Sequence, residues 1–442
     1  MGNKVALHNL GCKVNAYEIE AMQQLLEEAG YEIVPFEPGA DIYVINTCTV
    51  TNIADRKSRQ MLHKAKKMNP EAIVVATGCY VQTGGEKLEK DEAIDLVLGN
   101  NQKINIVEAL AEYAENKPGH GSHVIKINQT KEYEELSIDH TAEHVRAYIK
   151  VQDGCNQFCT YCIIPYARGR VRSRNIESVL KEVRALAEKG YKEVVLTGIH
   201  LSSYGVDFPE EKKETLLSLI RAVHEIEGIR RILLGSLEPG IVTREFAEGI
   251  AALPKVCPHF HLSLQSGCDE TLERMNRRYR SGEYRERWEL LREVYGNPAL
   301  TTDVIVGFPQ ESEEEFRKSY DFVDSIRFYE THIFKYSRRQ GTKAAAMDGQ
   351  LTEAEKSFRS EKMIELHHRH AGDYEKSMLG KNLEVLIEEE YTKDGRTWYL
   401  GHSREYIKTA VPKSEAYGVN DIVIVKAEGF LEEHIMTGEA VE

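Results

Sequence analysis

The chain has 442 residues, 41% of them apolar, which suits two or three folded domains rather than one core. Its formal charge of -14 excludes a surface that coats nucleic acid at large and leaves only local basic stripes for such a partner. No eighteen apolar residues run together, and the opening MGNKVALHNLGCK holds no small-residue cleavage site, so a cytoplasmic protein with no membrane partner is expected. In that compartment eight cysteines serve metal ligation or catalysis better than a disulfide framework.

In chain order, KVALHNLGC, DIYVINTC and AIVVATGC are apolar runs of strand length, each ending in a cysteine. The intervening NAYEIEAMQQLLEEAG and NIADRKSRQMLHKAKKMNP have helical spacing. This βαβαβ order predicts a parallel sheet with right-handed crossovers. The C-terminal strand ends of such a sheet share one edge, where ligands bind. Cys12, Cys48 and Cys79 therefore meet despite spacings of 36 and 31 residues. The alternative is three buried structural thiols, since free Cys is among the most buried residue types. The wide spacing favours that alternative, and the shared position after three successive strands favours a joint site.

From Pro118 to His144 the chain turns polar and aperiodic, which predicts a linker over 119–140. A second series follows, RAYIKVQDGC, EVVLTGIH, RILLGSLEP, HFHLSLQSG, TTDVIVGFP and THIFKYS, alternating with helical segments. Six strand–helix units suit an open or partial (β/α)6 barrel with its chemistry at the C-terminal strand ends.

Directly after the first strand of that series, DGCNQFCTYCIIPYARGR puts Cys155, Cys159 and Cys162 within eight residues. A structural zinc site wants four protein ligands, and the next cysteine, Cys257, lies 95 residues past Cys162. A 4Fe-4S cluster has four irons, so three thiolates leave one iron open. A three-cysteine zinc site with a distant ligand is the alternative. The CX3CX2C spacing closely resembles the signature of the radical S-adenosylmethionine enzymes. That resemblance implies that the open iron takes the amino and carboxylate groups of S-adenosylmethionine, whose reductive cleavage gives a 5′-deoxyadenosyl radical, while the protein positions the cofactor. It further implies cofactor contacts from Tyr161 and from the strand-end residues Gly198, Ser236, Glu238 and Gln265.

Other stretches narrow the resemblance. GCKVNAYEIE, NTCTVTNIADRKSRQ and GCY are similar to the N-terminal domain of the methylthiotransferases, and GCNQFCTYCIIPYARGRVRSR and LSLQSG to their radical domain. GKNLEVLIEE, YIKTAVP and NDIVIVKAEG are similar to their small β-barrel TRAM domain. The implied layout is an α/β chain with an N-terminal methylthiotransferase domain at 1–118, a radical core at 141–372 and a TRAM domain at 373–442. The implied cofactors are two 4Fe-4S clusters, one on each cysteine triad, and S-adenosylmethionine as both radical source and methyl donor. All six cysteines are then metal ligands and catalytic, and an electron donor and a sulfur source are needed.

NTCTVTNIADRKSRQ with PYARGRVRSR most resembles the branch that converts N6-threonylcarbamoyladenosine beside the tRNA anticodon to its 2-methylthio derivative. Other branches imply isopentenyladenosine in tRNA, or an aspartate of a ribosomal protein, as the target. A reading of another class is a cluster-bearing RNA-binding module without catalysis. Two positions depart from the family pattern: Gln310 stands where Gly is usual in GFPGET, and Lys343 where Pro is frequent in GTPA.

An RNA substrate calls for local positive charge. Arg168, Arg170, Arg172 and Arg174 alternate past the cysteine loop and are expected to hold phosphate or the threonylcarbamoyl carboxylate. Arg56, Lys57, Arg59, Lys64, Lys66 and Lys67 crowd one helix, and Arg277, Arg278 and Arg280 form a further group. Cys257 and Cys268 match no triad and are expected to be ordinary thiols. His367, His368 and His370 are expected on a solvated helix face, because neighbours one and two apart do not share a side.

Overall fold

The computed structural model describes residues 3–85, 88, 90–116, 121–141, 145–212 and 214–441. Both ends of the expected linker region, 117–120 and 142–144, lie outside these residues.

The first sheet is parallel throughout, in the order β2-β1-β3-β4-β5-β6. Its strands are β1 (Lys4–Asn9), β2 (Glu32–Ile33), β3 (Ile42–Thr47), β4 (Ile73–Gly78), β5 (Leu96–Leu98) and β6 (Gly121–His123). Every residue of the central β3 is buried, as befits a strand covered on both faces. Met22, Leu26, Ile106 and Leu110 of the helices Lys13–Glu28 and Ile106–Asn116 cover one face. Leu62 and Ala65 of the helix Asn52–Met68 cover the other. The expected linker is not free chain: β6 extends the sheet into it, and Leu136 and Ile138 are buried with Tyr17 between the first two domains. Aperiodic polar sequence hid this, because the segment's order comes from contacts distant in the chain.

The second domain carries the six expected parallel strands, β7 (Arg146–Asp153), β9 (Glu193–Gly198), β10 (Arg231–Leu234), β11 (His259–His261), β12 (Ala299–Val306) and β13 (Glu330–Lys335), with a short antiparallel β8 (Arg172–Ser173) beside β7. Pairings run β10-β9-β7 and β11-β12-β13, and the single bridges Ile232–Val256 and Leu237–Leu262 join the halves. Among the described residues no pairing returns from β13 to β7, so the barrel is partial. Helix Lys13–Glu28 packs beside β7, where its Glu18 meets Lys150 at 2.8 Å.

The last domain is a closed barrel in the order β14-β15-β16-β18-β17. Its strands are β14 (Asn382–Lys393), β15 (Arg396–Ser403), β16 (Lys408–Pro412), β17 (Ile422–Glu432) and β18 (Ile435–Ala440). Helix Glu353–Lys376, opened by a Thr352/Glu355 capping box, runs straight through the expected boundary at 372. The barrel docks on the N-terminal ends of the partial-barrel strands. Glu388 pairs with Arg146 at 2.8 Å, Glu384 with Arg231 at 3.0 Å, and Ala299 and Tyr329 join its core. It therefore sits at the end opposite the cysteine loop. Among the described residues no helix is long and apolar enough to cross a membrane.

Candidate cluster sites

Cys12, Cys48 and Cys79 follow β1, β3 and β4, and the sheet brings them to one edge as its parallel order predicts. Glycines make the crowding possible. At Gly11, φ is +120° and an added Cβ would lie 3.1 Å from Cys48 Cβ; at Gly78, φ is +98° and a Cβ would lie 2.5 Å from the Thr47 carbonyl. Cys12 is exposed at this edge, whereas burial pushes the Cys48 thiol up to about 11, with negative charge on Cys79 and Cys12 adding to it. Cys79 Sγ accepts from Arg168 Nε at 3.1 Å and lies 3.7 Å from Asn100 Nδ2.

The second triad is built by its own loop. Gly154 has φ +72°, where a Cβ would run into the Arg170 carbonyl, and Phe158 takes φ +51°. The Cys155 N–H donates to Gly169 O and the Cys162 N–H to Cys159 O, each at 3.0 Å. Cys159 Sγ accepts from Arg277 Nη1 at 3.2 Å. Burial lifts Cys155 to about 11 and Cys162 to about 12, with Cys159 adding to both. Desolvated thiols of this kind become thiolates only against a strong local positive charge, which bound metal supplies.

The donor sets fit clusters better than single ions. The described groups with three donor atoms within 4.8 Å of one another contain no cysteine. Neither remaining cysteine offers the zinc alternative a fourth ligand: Cys257 is buried among Val195 and Leu233 in the barrel lumen, and Cys268 Sγ contacts Glu270 at 3.0 Å. Both thiols are ordinary, as expected.

The expected substrate arginines are corrected by their burial. Arg168 and Arg172 are 0% exposed and Arg174 is 2%. Arg168 binds both oxygens of Glu18 and donates to Asn15 Oδ1 at 2.7 Å. Arg172 donates to the Arg168 and Arg170 carbonyls, and Arg174 pairs with Glu182. Only Arg170 of the four is exposed, with its guanidinium 4.6 Å from the Phe158 ring centre. The buried set has a further property. Among the described residues Lys103, Lys150, Arg168 and Arg172, all fully buried, have Glu18 and Asp153 as ion-pair partners, and the buried Glu134 carboxylate acts on Lys150 from farther off. That leaves surplus positive charge beside Cys79, and low dielectric makes such a surplus costly unless an anion faces it.

This same charged core joins the two triads. Asn100 Nδ2 donates to the Ala167 carbonyl at 2.7 Å, so the helix Ile164–Arg168 behind the cysteine loop rests on the Cys79 edge of the sheet. On the far side Arg339, beyond β13, reaches Thr49 Oγ1 at 2.7 Å and Asp55 at 2.8 Å, next to Cys48. The N-terminal domain thus closes over the mouth of the partial barrel.

Of the expected cofactor residues, Glu238 is the most engaged. Burial pushes its carboxyl up, but His200 at 3.1 Å and Arg277 at 3.2 Å outweigh that and hold it below the usual range. Gln157 of the cysteine loop also donates to it at 3.1 Å, and Gln157, His200 and Glu238 line a cavity of about 440 Å³. Gly198 ends β9, where a Cβ would lie 2.8 Å from Gln152 Oε1. Ser236 is exposed, and Gln265 takes φ +68° with its N–H on the Asp303 carbonyl. Tyr161 packs edge-on to Phe308 at 6.4 Å. Sequence reasoning missed Arg277 as a partner of Cys159, having read RRYR only as a basic group.

Residues 4–99 match the family described as "Uncharacterized protein family UPF0004", and residues 149–323 match the "Radical SAM superfamily". The chain is 40% identical, over 96% of its length and 93% of the relative's, to the threonylcarbamoyladenosine tRNA methylthiotransferase MtaB of Bacillus subtilis (strain 168). It is 43% identical to the protein of that name from Aquifex aeolicus (strain VF5), over 88% of this chain and 93% of that one. It is 34% identical, over 98% and 93%, to a tRNA-2-methylthio-N(6)-dimethylallyladenosine synthase of Finegoldia magna. Among solved structures, the radical S-adenosylmethionine methyltransferase TsrM of Kitasatospora setae shares the fold with a TM-score of 0.57 at 17% identity, over 76% of this chain and 72% of that one. The chain therefore belongs to the radical S-adenosylmethionine methylthiotransferases, enzymes that use S-adenosylmethionine with a 4Fe-4S cluster.

Proposed function

We propose that this enzyme converts N6-threonylcarbamoyladenosine beside the anticodon of tRNA to its 2-methylthio derivative, and that Cys12, Cys48 and Cys79 hold a second 4Fe-4S cluster from which sulfur is delivered. The buried surplus of cations at Cys79 carries the second cluster: three thiolates around an iron–sulfur core supply the missing negative charge. The nucleoside is supported by the names of the Bacillus and Aquifex relatives.

When bound, the two clusters supply one-electron reduction of S-adenosylmethionine and a site for transferable sulfur. The chain itself orients and encloses. Cys155, Cys159 and Cys162 ligate the first cluster, with Arg277 donating to Cys159. Tyr161, Gly198, Ser236, Glu238 and Gln265 line the strand-end rim where S-adenosylmethionine lies. Arg168, rooted on Glu18, fixes Cys79 and locks the two domains in register. Arg56, Lys57, Arg59, Lys64 and Lys67 form an exposed basic face on the helix that follows Cys48, suited to tRNA phosphates. Lys66 is held apart from that face by Asp95 at 2.8 Å. The target base leaves its stack to enter between the triads, at a cost of a few kcal/mol in a single-stranded loop.

The test is anaerobic reconstitution with an anticodon stem–loop carrying the threonylcarbamoyl base, a reductant and S-adenosylmethionine. A nucleoside heavier by one methylthio group in place of hydrogen is expected. Formation of 5′-deoxyadenosine with no such nucleoside would overturn the choice of substrate and leave the enzyme class standing.

A further inference from the structure

With Arg168, Arg172 and Arg174 engaged elsewhere, another partner for the carboxylate of the threonylcarbamoyl arm is sought. Strand alternation turns His259, His261, Asp303 and His332 into the barrel lumen, because Phe260, Leu262, Val304 and Ile333 pack toward the surrounding helices. His261 Nε2 lies 3.2 Å from Asp303 Oδ2, and its Nδ1 lies 3.0 Å from Thr301 Oγ1. The His261 and His332 rings stack at 5.6 Å, and donor atoms of His261, Asp303 and His332 all lie within 4.8 Å of one another. Tyr406 of the C-terminal barrel, 5.1 Å from His259, closes the floor.

Lys13 enters this lumen from the N-terminal domain. It follows Cys12 directly, and its ammonium stands 5.9 Å from the centre of the Tyr148 ring. The ammonium has no hydrogen bond or ion pair among the described residues. Burial, then the positive charges of Lys13, His261 and His332, hold the His259 imidazole down to about 3, while Lys13 and His332 are themselves exposed to solvent.

We propose that this lumen is the recognition site for the polar arm of the target base: Lys13 binds the threonyl carboxylate, and Asp303, oriented by His261, accepts from its hydroxyl or ureido N–H, with His332 alongside. The proposal rests on the substrate reading above. It explains selectivity as well as binding. An isopentenyl arm offers neither an anion nor a donor, so Lys13 would gain no counter-ion and Asp303 no contact beyond His261, and a site built on such polar contacts favours the arm that makes them. It also places the reaction. In adenine, C2 and the carbon bearing N6 both flank N1, so a grip on the arm beside Cys12 keeps C2 next to the sulfur-delivering site.

The experiment compares two anticodon stem–loops on the reconstituted enzyme, one with the natural arm and one whose threonyl carboxylate is converted to the primary amide. Wild-type enzyme is expected to favour the carboxylate by about 10- to 100-fold in kcat/KM, mostly through KM, as for one charge-assisted hydrogen bond. In Lys13→Met that ratio is expected to collapse to about one, and Lys13→Arg is expected to restore most of it. Reading a ratio within each variant removes any general loss of cluster loading, and iron content checks that both variants are folded. Full discrimination retained by Lys13→Met would overturn the assignment, as would equal use of both RNAs by the wild type. If the wild type modifies neither RNA while 5′-deoxyadenosine forms, the substrate reading itself fails, and this inference falls with it.

Discussion

The two cysteine triads are assembled by opposite routes. Cys155, Cys159 and Cys162 share one loop, shaped by Gly154, Phe158 and two backbone hydrogen bonds within that segment. Cys12, Cys48 and Cys79 are gathered from three strand ends and exist as a site only while the sheet is in register and Arg168 reaches across from the other domain. A local site is specified by its loop; a dispersed one is specified by the whole domain. The first should therefore survive damage that the second does not.

The largest effect comes from breaking each triad alone. Cys159→Ala is expected to abolish 5′-deoxyadenosine formation. Cys48→Ala is expected to lose about four irons per chain, keep reductive cleavage of S-adenosylmethionine, and make no methylthio product. Iron counting and product analysis on both variants check this. Normal methylthiolation by Cys48→Ala would show that the N-terminal thiols are structural.

Next in size is the charged core that supports the dispersed triad. Burial pushes the Glu18 carboxyl up, but Arg168, Lys103 and Lys150 hold it well below the usual carboxylate range. Glu18→Gln removes the charge and leaves buried cations without a partner, so a loss of about 3–5 kcal/mol is expected, as when one member of a buried pair is removed. The sign with pH follows. A carboxyl whose folded pKa lies below its unfolded value contributes its full stability above about pH 4.3 and loses it as pH falls below that. Thermal midpoints measured from neutral to acid pH should fall steeply for the wild type and more gently for Glu18→Gln. Hydrogen exchange should locate the loss at the Cys12 edge and spare the Cys155 loop; uniform loosening of both would erase the contrast between the triads.

That contrast also governs what could be read from sequence. Strand ends and a CX3CX2C spacing are local patterns, so both triads and the six barrel strands were legible. Partners far along the chain were not. Arg168, Arg172 and Arg174 looked like a substrate stripe because nothing beside them announces Glu18, 150 residues earlier, or Glu182 on the next helix. Lys13 drew no notice, since one lysine after a cysteine has no pattern; only the barrel shows that its ammonium reaches the Tyr148 ring. The HHRH run divided: His370 is buried on Asp324 at 2.9 Å, whereas His368 is exposed and stacks with His434, 66 residues away in sequence, at 5.7 Å.

The smallest effect tests a loop near the local triad, where the chain departs from its family. Gln310 holds φ +65°, a left-handed conformation that disfavours any residue with a Cβ, at the position where glycine was expected. Its backbone N–H still donates to Gly349 O at 2.8 Å, and its side-chain amide reaches Asp348 O at a long 3.3 Å. Gln310→Gly removes the steric cost of about 1 kcal/mol and keeps the backbone bond, but it gives up the side-chain contact and adds freedom to the unfolded chain. A net gain of about 0.5 kcal/mol is expected. Lys343 supplies the companion case, since its φ of -61° already suits proline. Lys343→Pro should add about 0.4–1 kcal/mol by restricting the unfolded chain, while the neighbouring Ala344 N–H keeps its 2.8 Å bond to Thr160 O in the cysteine loop. Both changes should raise the thermal midpoint without moving the iron count. A lower midpoint for Gln310→Gly would mean that the amide's grip on the 348–349 turn outweighs the backbone strain it imposes.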